Sequence, residues 1–255
     1  MIPQNLAEIT HQVKLLTQEV GDFVGSSWRN EMQIIEKDIA DYQSNIDIEA
    51  EKRFAAGLKI ILPEADVQGE EIFIDNPSNK LKFVIDPIDG TRFFVSNAPS
   101  FCCQVALVYE EEPIISTIYL PVSKQLFSSY QGGGSFLDGK KLEISHQTEL
   151  ERTIVLAEWG NVEKNQFKWE LISTLADRCK RLYCGTGGIV PFVATRTYDA
   201  YVRIHNHYKI YDLAPRILIW KEAGAKVEMF DVGDTQVMIA ANPILFEKIK
   251  QILTQ

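Results

Sequence analysis

Two aspartates directly follow an apolar run in the stretch FVIDPIDGTRFFV, residues 83–95. The apolar run 83–85 has the composition of a buried strand, and Asp86 and Asp89 come after it. In α/β proteins, ligands bind at the carboxyl ends of strands. Paired carboxylates at such a place share a proton or gather a cation, because uncompensated charge is unfavourable in a low dielectric. The fold must therefore bring a partner to each of these charges.

Oxygen is the only ligand type that this stretch offers, which favours a hard cation such as Mg²⁺. Gly90 and Thr91 then begin a short predicted helix, whose first N–H groups form a natural seat for a phosphate. A metal site beside a phosphate site indicates phosphoryl chemistry. The alternative is a turn whose aspartates cap the following helix, and the stretch alone does not separate the two interpretations.

Three more carboxylates occupy positions that suit such a site. Glu70 precedes the apolar strand in a Gly-Glu-Glu element, whereas Asp47 and Asp212 each lie at a predicted helix start. Each of them, taken alone, is more often a surface charge than a ligand. The informative feature is the order in which all of these carboxylates follow one another along the chain.

These motifs together resemble the inositol monophosphatase family, within the superfamily of Mg²⁺-dependent, lithium-sensitive phosphomonoesterases. Four elements of the family, D-x-x-T-x-x-D, G-E-E, D-P-[IL]-D-G-T-x-x-F and [WY]-D-x-A…E-A-G-G, occur here in the family's order, at residues 41–47, 69–71, 86–94 and 211–225. Two positions differ, since Ser44 replaces a threonine and Ala225 replaces a glycine. The resemblance covers almost the whole chain.

The resemblance implies a role for each matched residue. The implied metal ligands, for two or three Mg²⁺ ions, are Glu70, Asp86, Asp89, Asp212 and the backbone carbonyl of Ile88. The implied catalytic residues, which orient the attacking water, are Asp47, Glu70 and Thr91. The implied substrate-binding residues are Gly90 and Thr91 for the phosphate, and Gly185 and Thr186 near the substrate's hydroxyls.

Three departures from the family pattern bear on the site. Pro215 and Arg216 follow the second-signature alanine, where relatives often carry small residues. If Asp212 is the N-cap of its helix, Pro215 has no N–H for it to cap, so that Asp212 would serve as a metal ligand instead. Phe93 stands where the family usually has an asparagine, and Arg92 before it is compatible with a bisphosphorylated nucleotide as substrate. The segment 203–209, where relatives read substrate hydroxyls, contains no acidic residue, which puts inositol itself in question.

The fold that the resemblance implies is a layered αβαβα sandwich, like that of the inositol monophosphatases and fructose-1,6-bisphosphatases. Residues 1–148 are predicted to form an α+β half with Asp47, Glu70 and the DPIDGT motif, and residues 149–255 an α/β half with Asp212 and the substrate-reading loops, in one compact unit. Periodicity predicts helices at 6–23, 31–40, 44–62, 166–178, 213–223 and 243–252, and strands at 82–85, 101–109, 114–120, 125–130, 153–157, 181–184, 200–204 and 237–240.

Charge and composition exclude several classes of partner. The net charge of −9 argues against a nucleic-acid partner, because no basic stripe is present to release counterions. No leader-like pattern and no membrane-spanning apolar run occur in the sequence, which predicts a cytoplasmic location without a membrane partner.

The family resemblance implies a homodimer. The four cysteines lack zinc-site spacing and are predicted to be reduced thiols.

The sequence therefore predicts a Mg²⁺-dependent phosphomonoesterase, inositol-1-monophosphatase-like, that acts on a small phosphorylated metabolite. The alternatives are a 3′(2′),5′-bisphosphate nucleotidase, or a superfamily phosphatase for histidinol phosphate or fructose bisphosphate. A non-catalytic relative is disfavoured, because all the carboxylates are present. Crowded carboxylates further predict that Asp89→Asn leaves the metal-free protein as stable as the parent, or more so.

Overall fold

The computed structural model describes residues 2–38, 41–70, 79–159, 165–205 and 208–255. Two compact units divide the chain. The first contains Met1–Lys141, Gly187–Ile189 and Lys209–Ile219, and the second contains Leu142–Thr186, Val190–Tyr208 and Trp220–Gln255. This division differs from a single cut at residue 148, because the segment that carries Asp212 groups with the first unit.

The first unit begins with two helices and a hairpin between them. Helix α1 (Leu6–Ser27) is followed by strands β1 (Ile34–Asp38) and β2 (Asp41–Ser44), which pair antiparallel, and by helix α2 (Asn45–Ile61). The hairpin shows that the helix predicted over 31–40 is wrong. Ile34 and Ile35 are β-branched and largely exposed, so no buried helical face forms here and strand pairing satisfies the backbone instead.

A seven-stranded sheet forms the centre of the first unit, in the order β3-β4-β5-β6-β7-β8-β9. Its strands are β3 (Asp66–Gln68), β4 (Leu81–Asp89), β5 (Cys102–Tyr109), β6 (Glu112–Leu120), β7 (Gln125–Tyr130), β8 (Gly134–Leu137) and β9 (Lys140–Lys141). The short helix α3 (Thr91–Val95) follows β4 directly. The strand and helix predicted around the DPIDGT motif are thus both confirmed.

The second unit contains a five-stranded sheet in the order β11-β10-β12-β14-β13. Its strands and the later helices are β10 (Ile154–Trp159), α4 (Gln166–Arg178), β11 (Arg181–Cys184), β12 (Ala200–Ile204), α5 (Ile210–Glu222), β13 (Lys226–Val232), β14 (Thr235–Ala241) and α6 (Pro243–Leu253). β10 runs parallel to β11 and β12, and β14 runs antiparallel to both of its neighbours. Apolar side chains of α4 and α6 form a core with this sheet. Every helix and strand predicted in this part of the sequence is present, whereas β13 was not predicted.

Both faces of the first unit's sheet are covered. Phe83 and Ile85 of β4 point into a core shared with α1 and α2. Val84, between them, belongs to a separate cluster with Tyr211 and Ala214 of α5. The alternation follows from the two-residue period of a strand, and it makes this unit a sheet between helical layers. The face toward α5 is therefore the one on which residues of β4, β5 and α5 meet.

None of the helices in the described part of the chain is both long and apolar enough to span a membrane.

Candidate active site

A β-bulge at the end of β4 explains how two aspartates three residues apart reach the same side of the sheet. Asp86 pairs with Gln104 and Asp89 pairs with Cys102, so three steps along β4 match two steps along β5. One extra residue in β4 is the definition of a bulge, and Pro87, which has no N–H for the ladder, lies within it. Both aspartates therefore lie opposite β5 residues that share one face.

Four carboxylates gather around this bulge. Asp86 is only 2% exposed, and burial raises the pKa of its carboxyl well above the ordinary value. The negative charges that raise this pKa further, in decreasing order, are those of Glu70, Asp89 and Asp212. The positive charge of Arg216 lowers it. The structure thus brings together all four carboxylates that the family resemblance implies as metal ligands.

Asp212 and Arg216 reach the cluster from α5. They lie four residues apart on one helix and so share a face. The helix begins at Ile210, and the N–H of Asp212 donates to the carbonyl of Lys209 at 3.1 Å. Asp212 therefore lies in the first turn and is not the N-cap, so the expectation that Pro215 removes its capping partner is wrong. The Ser116 hydroxyl donates to the Pro215 carbonyl at 2.6 Å, which ties the helix to β6.

Asp89 has protein partners at one of its two oxygens. Its Oδ2 accepts a hydrogen bond from Nη2 of Arg216, whose side chain is 2% exposed, and the two form an ion pair. The same oxygen accepts the Cys102 thiol at 3.3 Å. The sequence predicted a metal ion as the partner of Asp89 and no protein side chain, although an arginine within the apolar run LAPRILIW was a visible signal.

Asp86 is satisfied only in part. Its Oδ2 accepts Nε2 of Gln104 at 3.4 Å, whereas its buried Oδ1 accepts no hydrogen bond in the structure. Oε1 of Gln104 is likewise buried without a hydrogen bond. Gln104 was also missed from the sequence, and its signal was a single amide within the apolar strand CCQVALVY. Buried oxygens without a partner are unfavourable, so this place favours an additional donor or cation.

Asp47 and Thr91 meet at the edge of the cluster. The Thr91 hydroxyl lies 3.2 Å from Oδ1 of Asp47 and 2.9 Å from the carbonyl oxygen of Ile88. A hydroxyl has one proton, so it donates to one of these oxygens at a time. Oδ2 of Asp47 accepts the N–H of Ser44 at 2.9 Å, which completes the predicted capping box of α2. The two oxygens of Asp47 thus divide between capping the helix and facing Thr91.

Gly90 connects the bulge to α3 in a conformation that favours glycine. Its φ is +90°, and a Cβ at this position would lie 2.9 Å from the carbonyl oxygen of Ser100. Gly187 packs against the same backbone, since a Cβ there would lie 2.6 Å from that oxygen. Because Gly90 has no side chain, none hinders the approach of a phosphate to the backbone N–H groups of this turn, as the predicted phosphate site requires.

The remaining predicted substrate residues belong to the second unit. Gly185 and Thr186 follow β11 there and stay a prediction. Within the segment 203–209, Arg203 is buried with its Nε 3.6 Å from Glu158, and its Nη1 donates to the carbonyl of His205 at 3.3 Å. His207 lies outside the described residues.

The cluster can be tested for its fit to Mg²⁺. Its possible metal ligands are oxygens, which hard cations prefer. Oδ1 of Asp86 is buried and accepts no hydrogen bond, so a cation could satisfy it. Among the described residues, no three His, Cys, Asp or Glu side chains already form a set that could hold a metal ion. By donor type and by the unsatisfied oxygen, the residues fit Mg²⁺.

Comparison with known proteins establishes the family. The sequence profile of the inositol monophosphatase family matches residues 5–254. The chain belongs to this family. It is accordingly an enzyme that hydrolyses phosphoric monoesters, as predicted.

Two relatives show the range of the similarity. The chain is 28% identical to the Nus factor SuhB of Xylella fastidiosa over 218 residues, which is 83% of this chain and 78% of that protein. It is 27% identical to inositol monophosphatase 1 of Bos taurus in an alignment of 258 positions that covers 92% of this chain and 90% of that protein.

Two solved structures show the fold. The SuhB protein of Bartonella henselae superposes with a TM-score of 0.88 at 22% identity, covering 97% of this chain and 99% of that one. An IMPase/NADP phosphatase complexed with Mg²⁺ and phosphate superposes with a TM-score of 0.81 at 23% identity, covering 98% and 96%. The predicted layered fold class is therefore confirmed.

Proposed function

We propose that this protein is a Mg²⁺-dependent phosphomonoesterase that hydrolyses a small phosphorylated metabolite, with inositol 1-phosphate as the first candidate. The observation that carries the proposal is the contact between Thr91 and Asp47 beside the buried acidic cluster. A hydroxyl polarised by a carboxylate suits the orientation of a water, and a family member must activate water to hydrolyse its substrate.

Four donors are proposed to hold Mg²⁺: Glu70, Asp86, Asp212 and the carbonyl of Ile88. Asp89, the fifth predicted ligand, is held by Arg216 in the structure. When bound, Mg²⁺ lowers the pKa of a water and neutralises charge on the phosphoryl oxygens. The relative complexed with Mg²⁺ and phosphate supports this choice of metal, and the predicted two or three ions are part of the proposal.

The proposed roles of Thr91 and Asp47 follow from the single proton of the Thr91 hydroxyl. When Thr91 donates to Oδ1 of Asp47, its own oxygen presents lone pairs and accepts a hydrogen bond from the attacking water. Glu70 assists from the acidic cluster. The backbone of Gly90 and Thr91 then holds the phosphate, because the turn carries no side chain at Gly90 that would block a close approach.

The test is a phosphate-release assay on inositol 1-phosphate with Mg²⁺ and with excess chelator. We expect hydrolysis with Mg²⁺, none in chelator, and a loss of about 10²-fold or more in Asp47→Asn. Full hydrolysis in excess chelator would overturn the metal-dependent proposal. Inhibition by lithium is a further expectation, supported by a structural relative soaked in LiCl.

A second substrate is favoured by one observation. Arg92 is exposed at the start of α3, next to the proposed phosphate seat, where it suits a second phosphate. The assay therefore includes a 3′,5′-bisphosphonucleotide, fructose 1,6-bisphosphate and histidinol phosphate. Arg92→Gln should raise the KM for the bisphosphonucleotide more than for inositol 1-phosphate, if that nucleotide is the substrate.

Homodimer formation and a cytoplasmic location remain parts of the proposal that rest on the sequence. Light scattering on the purified protein tests the dimer. If the folded protein hydrolyses none of these substrates with Mg²⁺, the proposed substrates are wrong.

A further inference from the structure

Arg216 is the feature of the acidic cluster that the proposed function does not use. Its side chain is 2% exposed, and it interacts with Asp89 and Asp86, which are both buried. A guanidinium stays charged at any physiological pH, so its positive charge is a permanent part of the site. Burial of such a charge is unfavourable unless a fixed anion pairs with it.

Arg216 forms an ion pair with Asp89, and the pairing leaves an asymmetry in the cluster. Oδ2 of Asp89 accepts hydrogen bonds from both the Arg216 guanidinium and the Cys102 thiol. Oδ1 of Asp86, three residues earlier, accepts nothing. The two aspartates of the motif thus differ. Asp89 already pairs with a fixed cation, whereas Oδ1 of Asp86 has no hydrogen-bond donor.

The backbone fixes this arrangement. The bulge in β4 sets Asp89 opposite Cys102, and the helical spacing of α5 sets Arg216 on the same face as Asp212. The Ser116 hydroxyl bonds to the carbonyl of Pro215, the residue before Arg216. Arg216 is therefore held at the cluster by the fold and does not reach it from a flexible surface loop.

We propose that Arg216 is a built-in cation that takes the place of one divalent ion, so that Asp89 serves as its counter-ion and not as a metal ligand. This rests on the proposed Mg²⁺ site. Glu70, Asp86 and Asp212 then hold the metal, and Arg216 supplies the charge that a further ion would have supplied at Asp89. Removal of Arg216 should open a position for one more ion, because it returns an unpaired carboxylate to the cluster.

The experiment counts Mn²⁺ ions bound per chain, by electron paramagnetic resonance of the unbound ion, in the parent, Arg216→Gln and Arg216→Lys. Arg216→Gln should bind one additional ion, and Arg216→Lys, which keeps the charge, should match the parent. Equal counts and equal Kd values in all three proteins would overturn the proposal while leaving the metal-dependent phosphatase intact. A folded parent that binds no Mn²⁺ and hydrolyses nothing would instead overturn the proposed function.

A double variant keeps the test decisive if Arg216→Gln does not fold. Asp89→Asn combined with Arg216→Gln removes both members of the ion pair, and replacement of a whole buried pair is tolerated better than removal of one member. We expect this double variant to bind as many Mn²⁺ ions as the parent, with Kd values within about twofold. Loss of an ion would show that Asp89 is a metal ligand and that the proposal is wrong.

Discussion

Two aspartates of the DPIDGT motif should respond in opposite directions to the same substitution. Asp89→Asn and Asp86→Asn each remove one negative charge and preserve the shape of the side chain. In chelator, we expect Asp89→Asn to destabilise the protein and Asp86→Asn to leave it as stable or more so. The structure changes the expectation from the sequence alone, in which removal of Asp89 relieved repulsion, because Arg216 now accounts for that charge.

The magnitudes follow from the partners of each carboxylate. Asp89→Asn removes the carboxylate that pairs with the buried guanidinium of Arg216, which costs about 1–3 kcal/mol. Removal of one partner from a fully isolated buried pair costs roughly 3–5 kcal/mol. The lower figure applies here, because Asp86 also interacts electrostatically with Arg216. Asp86→Asn removes a buried carboxyl whose charged form is repelled by Glu70, Asp89 and Asp212, so no loss of stability is expected.

Urea unfolding in excess chelator at pH 7, followed by the fluorescence of the four tryptophans, measures both changes. In thermal melts, about 2–4 °C per kcal/mol is expected for a chain of this size. Added Mg²⁺ should stabilise Asp89→Asn and the parent by mass action, and Asp86→Asn much less. An Asp89→Asn protein as stable as the parent in chelator, beside a destabilised Asp86→Asn, would refute the assignment of the two charges.

Three further results are expected. Thr91→Ala should lower kcat by about 10²-fold with a smaller change in KM, and Thr91→Ser should retain most activity, because we propose that the hydroxyl orients the water. Gly90→Ala should destabilise the protein by more than Gly139→Ala in thermal melts: both positions have positive φ, which costs about 1–2 kcal/mol, but only at Gly90 does a Cβ approach another group within 3 Å. Burial raises the pKa of Asp86 in the folded protein above its value in the unfolded protein. The stability that this group contributes in chelator should therefore be fully present below the unfolded-state pKa and should be lost as the pH rises through the folded-state pKa. Urea titrations at several pH values should show that Asp86→Asn lacks this fall in the free energy of unfolding.

Local signals made much of the fold predictable. The N-cap of α2 was read from Ser44 and Asp47, and both hydrogen bonds of the capping box are present. The strand before the DPIDGT motif and the short helix after it were likewise read from residue type and spacing. The helix predicted over 31–40 failed because apolar spacing alone cannot show that Ile34 and Ile35 are exposed and lie in a strand.

The parts of the site that were missed depend on strand register and tertiary contact. Arg216 and Asp89 are 127 residues apart in the sequence, and no local rule joins them. The bulge between Asp86 and Asp89 is a property of how β4 pairs with β5, which the sequence of β4 does not contain. Gln104 becomes meaningful only once that register places it opposite Asp86. A polar residue in an otherwise apolar element was the available signal in both missed cases.

A site that gathers carboxylates to bind a phosphate must reverse its own charge before substrate can enter. Free metal ions do this reversibly, since a chelator removes them and restores the repulsion. A guanidinium fixed on α5 cannot be removed in this way, so the part of the cluster around Asp89 stays neutralised at every metal concentration. Metal dependence should therefore reside in Asp86 and its remaining partners, Glu70 and Asp212. Oδ1 of Asp86, which is buried and accepts no hydrogen bond, is the oxygen at which we expect the metal ion to bind.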